Sequence, residues 1–161
     1  LIALLFMANF LIYMDRYHIH FPKTEGENWG IGYKKLASFL SQERFSNKRI
    51  IMVNGEQSPY IFLLFYQSYD PFYYQKIVKR YPPTSDGFVN VKSFDRFEFP
   101  KEIDWPQTLF IQNVLIIAPP NYIPQSIKDN PRRYNRFVIK LPDGEPMFVI
   151  METKKLIEQD L

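Results

Sequence analysis

The chain begins with an apolar run that restricts how it can fold. Residues 1–14 read LIALLFMANFLIYM, in which Asn9 is the one clearly polar side chain and no residue is charged. An α-helix needs about 20 such residues to cross the roughly 30 Å hydrocarbon layer of a bilayer. The run is shorter than that, and the chain starts on leucine rather than methionine. We therefore interpret residues 1–14 as the truncated end of a transmembrane helix.

Two other interpretations of this run fit the sequence less well. A signal peptide has a basic region before its apolar core and small residues at a cleavage site, and neither is present. A buried amphipathic helix has polar residues along one face, whereas Asn9 alone interrupts this run. The residues that follow include Tyr13, Arg16 and Tyr17, and aromatic and basic side chains of this kind anchor helices at the lipid–water boundary.

Composition limits what the rest of the chain can be. The remaining length suits one compact domain with a hydrophobic core. The 20 basic and 17 acidic residues give a net charge of +3, which is too small to indicate a nucleic-acid-binding surface. The absence of cysteine excludes disulfides and thiolate chemistry.

Periodicity and turn signals predict a series of elements after the apolar run. Residues 15–32 contain three glycines, so we expect a juxtamembrane connector without regular structure. Apolar spacing predicts a helix over 33–45, and β-rich runs predict strands over 49–54, 88–99 (with a bend at Ser93 or Asp95) and 114–118. Ser58-Pro59 and Asp70-Pro71 predict N-capped helices over 60–69, apolar all round and therefore buried, and over 72–80. Residues 121–135 are expected to be a loop with at most one helical turn near Gln125.

The C-terminal part contains the strongest local signal. Pro142-Asp143-Gly144 lies between β-rich runs at 136–141 and 147–151, which predicts a hairpin with glycine in a left-handed conformation. Together these elements predict an α/β domain over 33–153, with a small mixed sheet flanked by helices, a C-terminal β-hairpin and a charged tail over 154–161. The end of the transmembrane helix precedes this domain.

Few residues indicate chemistry. Asn54 and Glu56 follow the first strand and precede a helix, a position where backbone N–H groups can bind an anion, although a turn without ligand is the simpler alternative. His18 and His20 lack the further ligands that a metal site needs. We therefore expect no metal site, no cofactor and no self-sufficient catalytic centre in this chain.

Several segments, in their order and aromatic placement, resemble a known family. These are NWGIGYK at 28–34, the strand at 48–53, QSPYIFLLFY at 57–66, YDPFYYQ at 69–75, FDRFEF at 94–99 with Trp105, and the Pro142-Asp143-Gly144 hairpin. They are similar to the C-terminal soluble domain of bacterial GT-C type membrane glycosyltransferases, the dolichyl-phosphate-mannose–protein mannosyltransferase-like group. Ile31 departs from that pattern, which has an aromatic there, and Asn54-Gly55 ends the strand more tightly.

The resemblance implies a role outside the membrane. Such enzymes transfer a sugar from a polyprenyl-phosphate donor to a protein or lipid acceptor, and their catalytic carboxylate lies in the membrane portion. The domain would then be non-catalytic by itself and would lie on the extracytoplasmic side of the cell membrane, in contact with lipid. For contacts with the sugar, the resemblance and aromatic character favour Trp29, Tyr33 and Tyr60, with packing inside the domain as the alternative for each.

Two further functions stay open on sequence alone. The chain is compatible with a single-pass membrane-anchored α/β module that binds a ligand or a protein. It is also compatible with a free-standing α/β enzyme whose first helix belongs to the core.

Overall fold

In the computed structural model, a seven-stranded sheet has helices on both faces. The structure describes residues 1–26, 29–53, 58–129 and 134–154. The helices are α1 (Ile2–Asp15), α2 (Phe21–Thr24), α3 (Ile31–Leu40), α4 (Pro59–Tyr66), α5 (Pro71–Ile77), α6 (Trp105–Phe110) and α7 (Gln125–Lys128). The strands are β1 (Arg49–Met52), β2 (Lys79–Arg80), β3 (Val91–Phe94), β4 (Phe97–Glu98), β5 (Val114–Ala118), β6 (Tyr134–Lys140) and β7 (Pro146–Thr153). A π-helical turn at Arg16–His20 and 3₁₀ turns at Glu43–Phe45 and Pro120–Tyr122 complete the regular structure.

The sheet is mixed, with strand order β2-β3-β4-β1-β5-β7-β6. β1 pairs in parallel with both β4 and β5, and every other described pairing is antiparallel. This confirms the predicted fold class of helices on a mixed sheet that ends in a hairpin. The central position of β1 explains why Ile50–Met52 are apolar and buried, because a strand covered on both faces has apolar residues on both.

Two hydrophobic clusters lie on opposite faces of the sheet. Side chains of a strand alternate between faces, so Ile50 and Met52 join one cluster while Ile51 and Val53 join the other. The first cluster packs against α3, α4 and α5 and is rich in aromatic rings. The second packs against α6 and α7 and is mostly aliphatic. The sheet therefore forms the middle layer of a three-layer sandwich.

The C-terminal hairpin is confirmed in detail. β6 and β7 pair antiparallel, and the Gly144 N–H donates to the Leu141 carbonyl at 3.1 Å across the turn. Gly144 has φ +95°, a backbone conformation that glycine adopts without the steric cost of a Cβ. The strand predicted at 114–118 is also confirmed as β5.

The prediction that residues 15–32 lack regular structure is wrong for the first part of this segment. Helical structure continues from α1 through the π-helical turn and α2 to Thr24. The glycines that suggested irregular structure all lie beyond this point, and Pro22 occupies the first turn of α2, where proline is tolerated. α3 begins at Ile31, after Gly30 in the left-handed conformation, two residues before the helix start predicted at 33.

Several other boundaries differ from the predictions. The helix predicted over 33–45 ends at Leu40, because Gln42 is extended, and a separate 3₁₀ turn follows. The helix predicted over 72–80 ends at Ile77, and Lys79–Arg80 instead form β2 against β3. The strand predicted over 88–99 is a hairpin of β3 and β4, whose turn places Asp95 at φ +46°.

Two helices were missed or misjudged. α6 is short and begins at Trp105, where the Asp104 carboxylate accepts a hydrogen bond from the Gln107 N–H at 3.1 Å. The prediction that α4 is buried all round is wrong, since only Pro59 and Leu63 of this helix are buried. The single helical turn predicted near Gln125 is confirmed as α7, whereas the loop predicted over 121–135 ends early, because β6 begins at Tyr134.

The apolar run forms α1 as predicted, but none of its residues is buried. The Asn9 side-chain amide donates a hydrogen bond to the Leu5 carbonyl at 2.9 Å, so the one clearly polar side chain of this run has a hydrogen-bond partner within the helix. Among the described residues, no helix combines the length and apolarity needed to span a bilayer.

Candidate functional site

A series of aromatic rings connects α1 to the α/β domain. The ring of Tyr13 stacks on that of Tyr17 at 5.7 Å between centroids, and Tyr17 stacks on Phe21 at 5.9 Å. The ring of Trp29 then lies 6.2 Å from that of Phe21. The spacing Tyr13, Tyr17, Phe21 is that of one helix face, so the helical continuation past Met14 is what aligns these rings. We call these four residues the aromatic ladder.

A surface groove of about 720 Å³ lies beside the end of the ladder. Trp29 forms one wall and is 68% exposed. The other lining residues come from the end of α1, the π-helical turn and α2; they are Asp15, Arg16, His20, Phe21, Thr24 and Glu25. The π-helical turn brings His20 Nε2 to 3.2 Å from the Asp15 carboxylate.

The groove combines donors, acceptors and an aromatic face. Arg16 supplies a hydrogen-bond donor that stays positively charged. Asp15 and Glu25 supply carboxylates, and Trp29 supplies an exposed indole. A pocket that pairs an aromatic surface with a few polar groups suits a small polar ligand such as a sugar. Within the parts of the chain that the structure describes, no group of three or more His, Asp or Glu side chains could hold a metal ion.

Tyr33 occupies a different environment from Trp29. It is 4% exposed, and its ring stacks on Phe62 at 4.4 Å and meets Phe148 edge-on at 4.9 Å. Burial raises the pKa of Tyr33 to about 12. For Tyr33, the structure therefore shows the alternative of packing inside the domain. Its ring presents no face to a ligand.

The remaining predicted site residues do not join the groove in the described structure. Tyr60, on α4, is half-buried, and its ring meets that of Phe99 edge-on at 6.3 Å, within the first cluster. Asn54 and Glu56 lie outside the described residues. Ser58, which follows them, has φ +43° and makes no side-chain capping bond with α4, unlike the cap that its Ser-Pro sequence predicts.

Of the residues predicted from the sequence, Trp29 lines the groove, whereas the polar residues that line it were not predicted. Asp15, Arg16 and Glu25 were assigned to an irregular connector, in which their relative positions could not be inferred. The signal that was available is the four-residue spacing of Tyr13, Tyr17 and Phe21, which predicts a helix that continues beyond the apolar run.

Comparison with known proteins gives no family for this chain. No protein-family model matches it, and neither a curated protein nor a solved structure is significantly similar to it.

Proposed function

We propose that this chain is the extracytoplasmic C-terminal domain of a polytopic membrane glycosyltransferase. The enzyme would transfer a sugar from a polyprenyl-phosphate donor to a protein or lipid acceptor. The domain itself would be non-catalytic and would contact membrane lipid, and the catalytic groups would lie in a membrane portion outside these 161 residues.

The observation that carries the membrane part of this proposal is the exposure of α1. Its leucine, isoleucine and phenylalanine side chains are exposed, and no residue of the helix is buried. The transfer of each such side chain out of water is favourable by about 1.5–3 kcal/mol, so a helix of this composition is stabilised by an apolar environment. Lipid supplies that surrounding without requiring a polar face on the helix.

The aromatic ladder supports the same arrangement. Tyrosine and tryptophan side chains concentrate at the level of the lipid headgroups, where the ring is apolar and its polar atom reaches water. Tyr13, Tyr17 and Trp29 continue the apolar surface of α1 toward the domain. With α1 in hydrocarbon, the groove beside Trp29 would lie at headgroup depth, where a polyprenyl-phosphate sugar presents its polar part.

The transferase part of the proposal depends on the resemblance of the segments between residues 28 and 151 and on the chemistry of the groove. Exposed indole, guanidinium and carboxylate groups together suit the faces and hydroxyls of a pyranose. Trp29 is therefore the residue for which a sugar contact is proposed.

The test uses the complete reading frame that encodes this chain, expressed in membrane vesicles. We expect transfer of labelled hexose from a polyprenyl-phosphate donor, and cleavage of the α/β domain by protease added on the extracytoplasmic side. A Trp29→Ala variant should reduce transfer by roughly tenfold, the loss of about 1.4 kcal/mol of binding. A matched Trp105→Ala variant, altered on the other side of the sheet, controls for the loss of an aromatic side chain.

Two results would contradict the proposal. If membranes that contain the full product transfer no hexose from any polyprenyl-phosphate donor, the transferase assignment is wrong. If residues 1–161 without any other segment catalyse transfer, the assignment of catalysis to a membrane portion is wrong.

A further inference from the structure

The outward surface of α4 and α5 exposes large apolar side chains that no described part of the chain covers. Ile61 and Phe65 lie four residues apart on one face of α4, and Phe65 is 74% exposed. Phe72 and Tyr73 lie on α5, where Phe72 is 78% exposed. We call these four residues the α4–α5 face.

This face is distinct from the part of the same helices that builds the core. Leu63 of α4 is fully buried in the first cluster, so α4 is held against the sheet by the opposite side of the helix. Tyr69, in the connection between the helices, contacts Phe94 of the sheet at 5.5 Å and also stacks on Tyr73 at 6.2 Å. The α4–α5 face therefore sits on a fixed support, and clustered exposed aromatics on a fixed surface indicate an interaction site.

The chain segment that forms this face carries more basic than acidic residues, and the Asp95 carboxylate of the β3–β4 turn interacts with Tyr69 beside it. From Pro59 to Arg80 the sequence contains one carboxylate, Asp70, and three cations at Lys76, Lys79 and Arg80. The Asp70 carboxylate accepts a hydrogen bond from the Phe72 N–H at 2.9 Å and so serves as the cap of α5. Basic side chains beside exposed aromatics complement anionic lipid headgroups.

The same charges argue against a second copy of the chain as the partner. A symmetric dimer through this face would bring two identical sets of cations together, and like charges at an interface oppose association. A bilayer that contains anionic lipid meets no such repulsion.

The helix that carries part of this face lies beside the end of the aromatic ladder. Trp29 ends the ladder, and the next residue, Gly30, lies against the ring of Phe62 on α4, so closely that a Cβ at Gly30 would come within 2.7 Å of that ring. This contact places α4 next to the end of the aromatic ladder.

We propose that the α4–α5 face docks on the anionic lipid surface of the membrane as a second contact beside α1. This inference rests on the proposed membrane attachment of the chain. It adds an orientation: the helical layer of α3–α5 faces the bilayer, and the layer of α6 and α7 faces away from it.

The test uses the full chain with phosphatidylcholine vesicles that contain about one-third phosphatidylglycerol, compared with vesicles of phosphatidylcholine alone. Trp29→Phe and Trp105→Phe remove both native tryptophans. A single reporter is then introduced by Phe65→Trp on the α4–α5 face, by Phe110→Trp on α6 as the matched control, or by Leu5→Trp in α1. Quenching by lipids brominated near the headgroup end of the acyl chain reports which positions reach the bilayer.

We expect roughly twofold or stronger quenching of the Phe65→Trp and Leu5→Trp reporters and little quenching of the Phe110→Trp reporter. The quenching at position 65 should decrease when phosphatidylglycerol is omitted. The pair Phe65→Ser and Phe72→Ser should weaken binding to anionic vesicles by about tenfold. The matched pair Phe88→Ser and Phe110→Ser should leave binding unchanged.

The outcomes separate this inference from the proposed function. Quenching at position 5 without quenching at position 65 overturns the docking and leaves the attachment of α1 intact. No quenching at position 5 overturns the membrane part of the proposed function itself. Equal quenching at positions 65 and 110, or lipid-independent self-association that Phe65→Ser abolishes, also overturns the docking.

Discussion

The N-terminal helices and the α/β domain use similar apolar side chains in opposite ways. Leucine, isoleucine and phenylalanine of α1 are exposed, whereas the same residue types on α3 and in the strands are buried or partly buried. One ion pair of each region differs in the same way: the side chains of His20 and Asp15 are 63% and 53% exposed, and those of Lys48 and Glu152 are 16% and 20% exposed. Apolar side chains therefore form the core of the domain, whereas those of α1 stay at the surface of the structure.

The largest expected effect concerns a leucine in each region. Leu36 of α3 is fully buried in the first cluster, so Leu36→Ala should lower the free energy of unfolding by about 3 kcal/mol. Leu5→Ala in α1 removes the same atoms from an exposed position and should change it by less than about 0.5 kcal/mol. Urea unfolding followed by Trp105 fluorescence in a Trp29→Phe background measures both. Equal destabilisation by the two changes would show that α1 belongs to the domain core.

The next effect concerns two arginines. The Arg96 guanidinium donates to the backbone carbonyls of Leu40 at 3.0 Å, Ser46 at 3.2 Å and Phe45, and so binds the segment after α3 to the β3–β4 turn. Arg96→Ala should cost about 2 kcal/mol, because it leaves carbonyl groups without a charged donor. The control, Arg16→Ala in the π-helical turn, should cost less than about 0.5 kcal/mol in the same measurement. A small effect at Arg96 would mean that water replaces the guanidinium at these carbonyls.

The two ion pairs give a pH-dependent comparison. Burial raises the pKa of Glu152, but hydrogen bonds from Lys48 and Asn135 outweigh it and hold the pKa below its usual value. A carboxylate with a lowered folded pKa stabilises the fold above its unfolded pKa of about 4.3, and that stabilisation is lost as pH falls through the folded value. Glu152→Gln should therefore cost about 1 kcal/mol at neutral pH and progressively less below about pH 4.

Asp15→Asn serves as the control for this comparison, because its pair with His20 is exposed and such pairs contribute little. Unfolding curves between acid and neutral pH measure both variants. A cost of Glu152→Gln that does not change with pH would mean that side-chain shape, and not charge, stabilises this site.

The smallest expected effect separates two helix caps that look alike in sequence. The Asp70 carboxylate caps α5, whereas Ser58 makes no side-chain bond to α4. Asp70→Ala should cost about 1 kcal/mol, and Ser58→Ala should change the free energy of unfolding by only a few tenths. Equal costs would indicate that the Ser58 hydroxyl caps α4 in solution.

Much of the fold could be predicted where a short-range pattern carries the information. β5 and the hairpin turn at Gly144 are such cases, because strand composition and turn geometry depend on adjacent residues. β2 was missed, because Lys79–Arg80 becomes a strand only by pairing with β3. Of the predicted site residues, Trp29 lines the groove, whereas Tyr33 is in the core, and no local pattern distinguishes an exposed aromatic from a buried one.

The sequence by itself determined that α1 is apolar without a polar face, that the domain mixes helices with strands, and where its C-terminal hairpin turns. These properties follow from the chemistry of consecutive residues. The tertiary structure decided which side of α4 is exposed, how Asp15 and Arg16 meet Trp29 in one groove, and which strand lies at the centre of the sheet. Those properties depend on contacts between residues distant in the chain, whose energies no local spacing encodes.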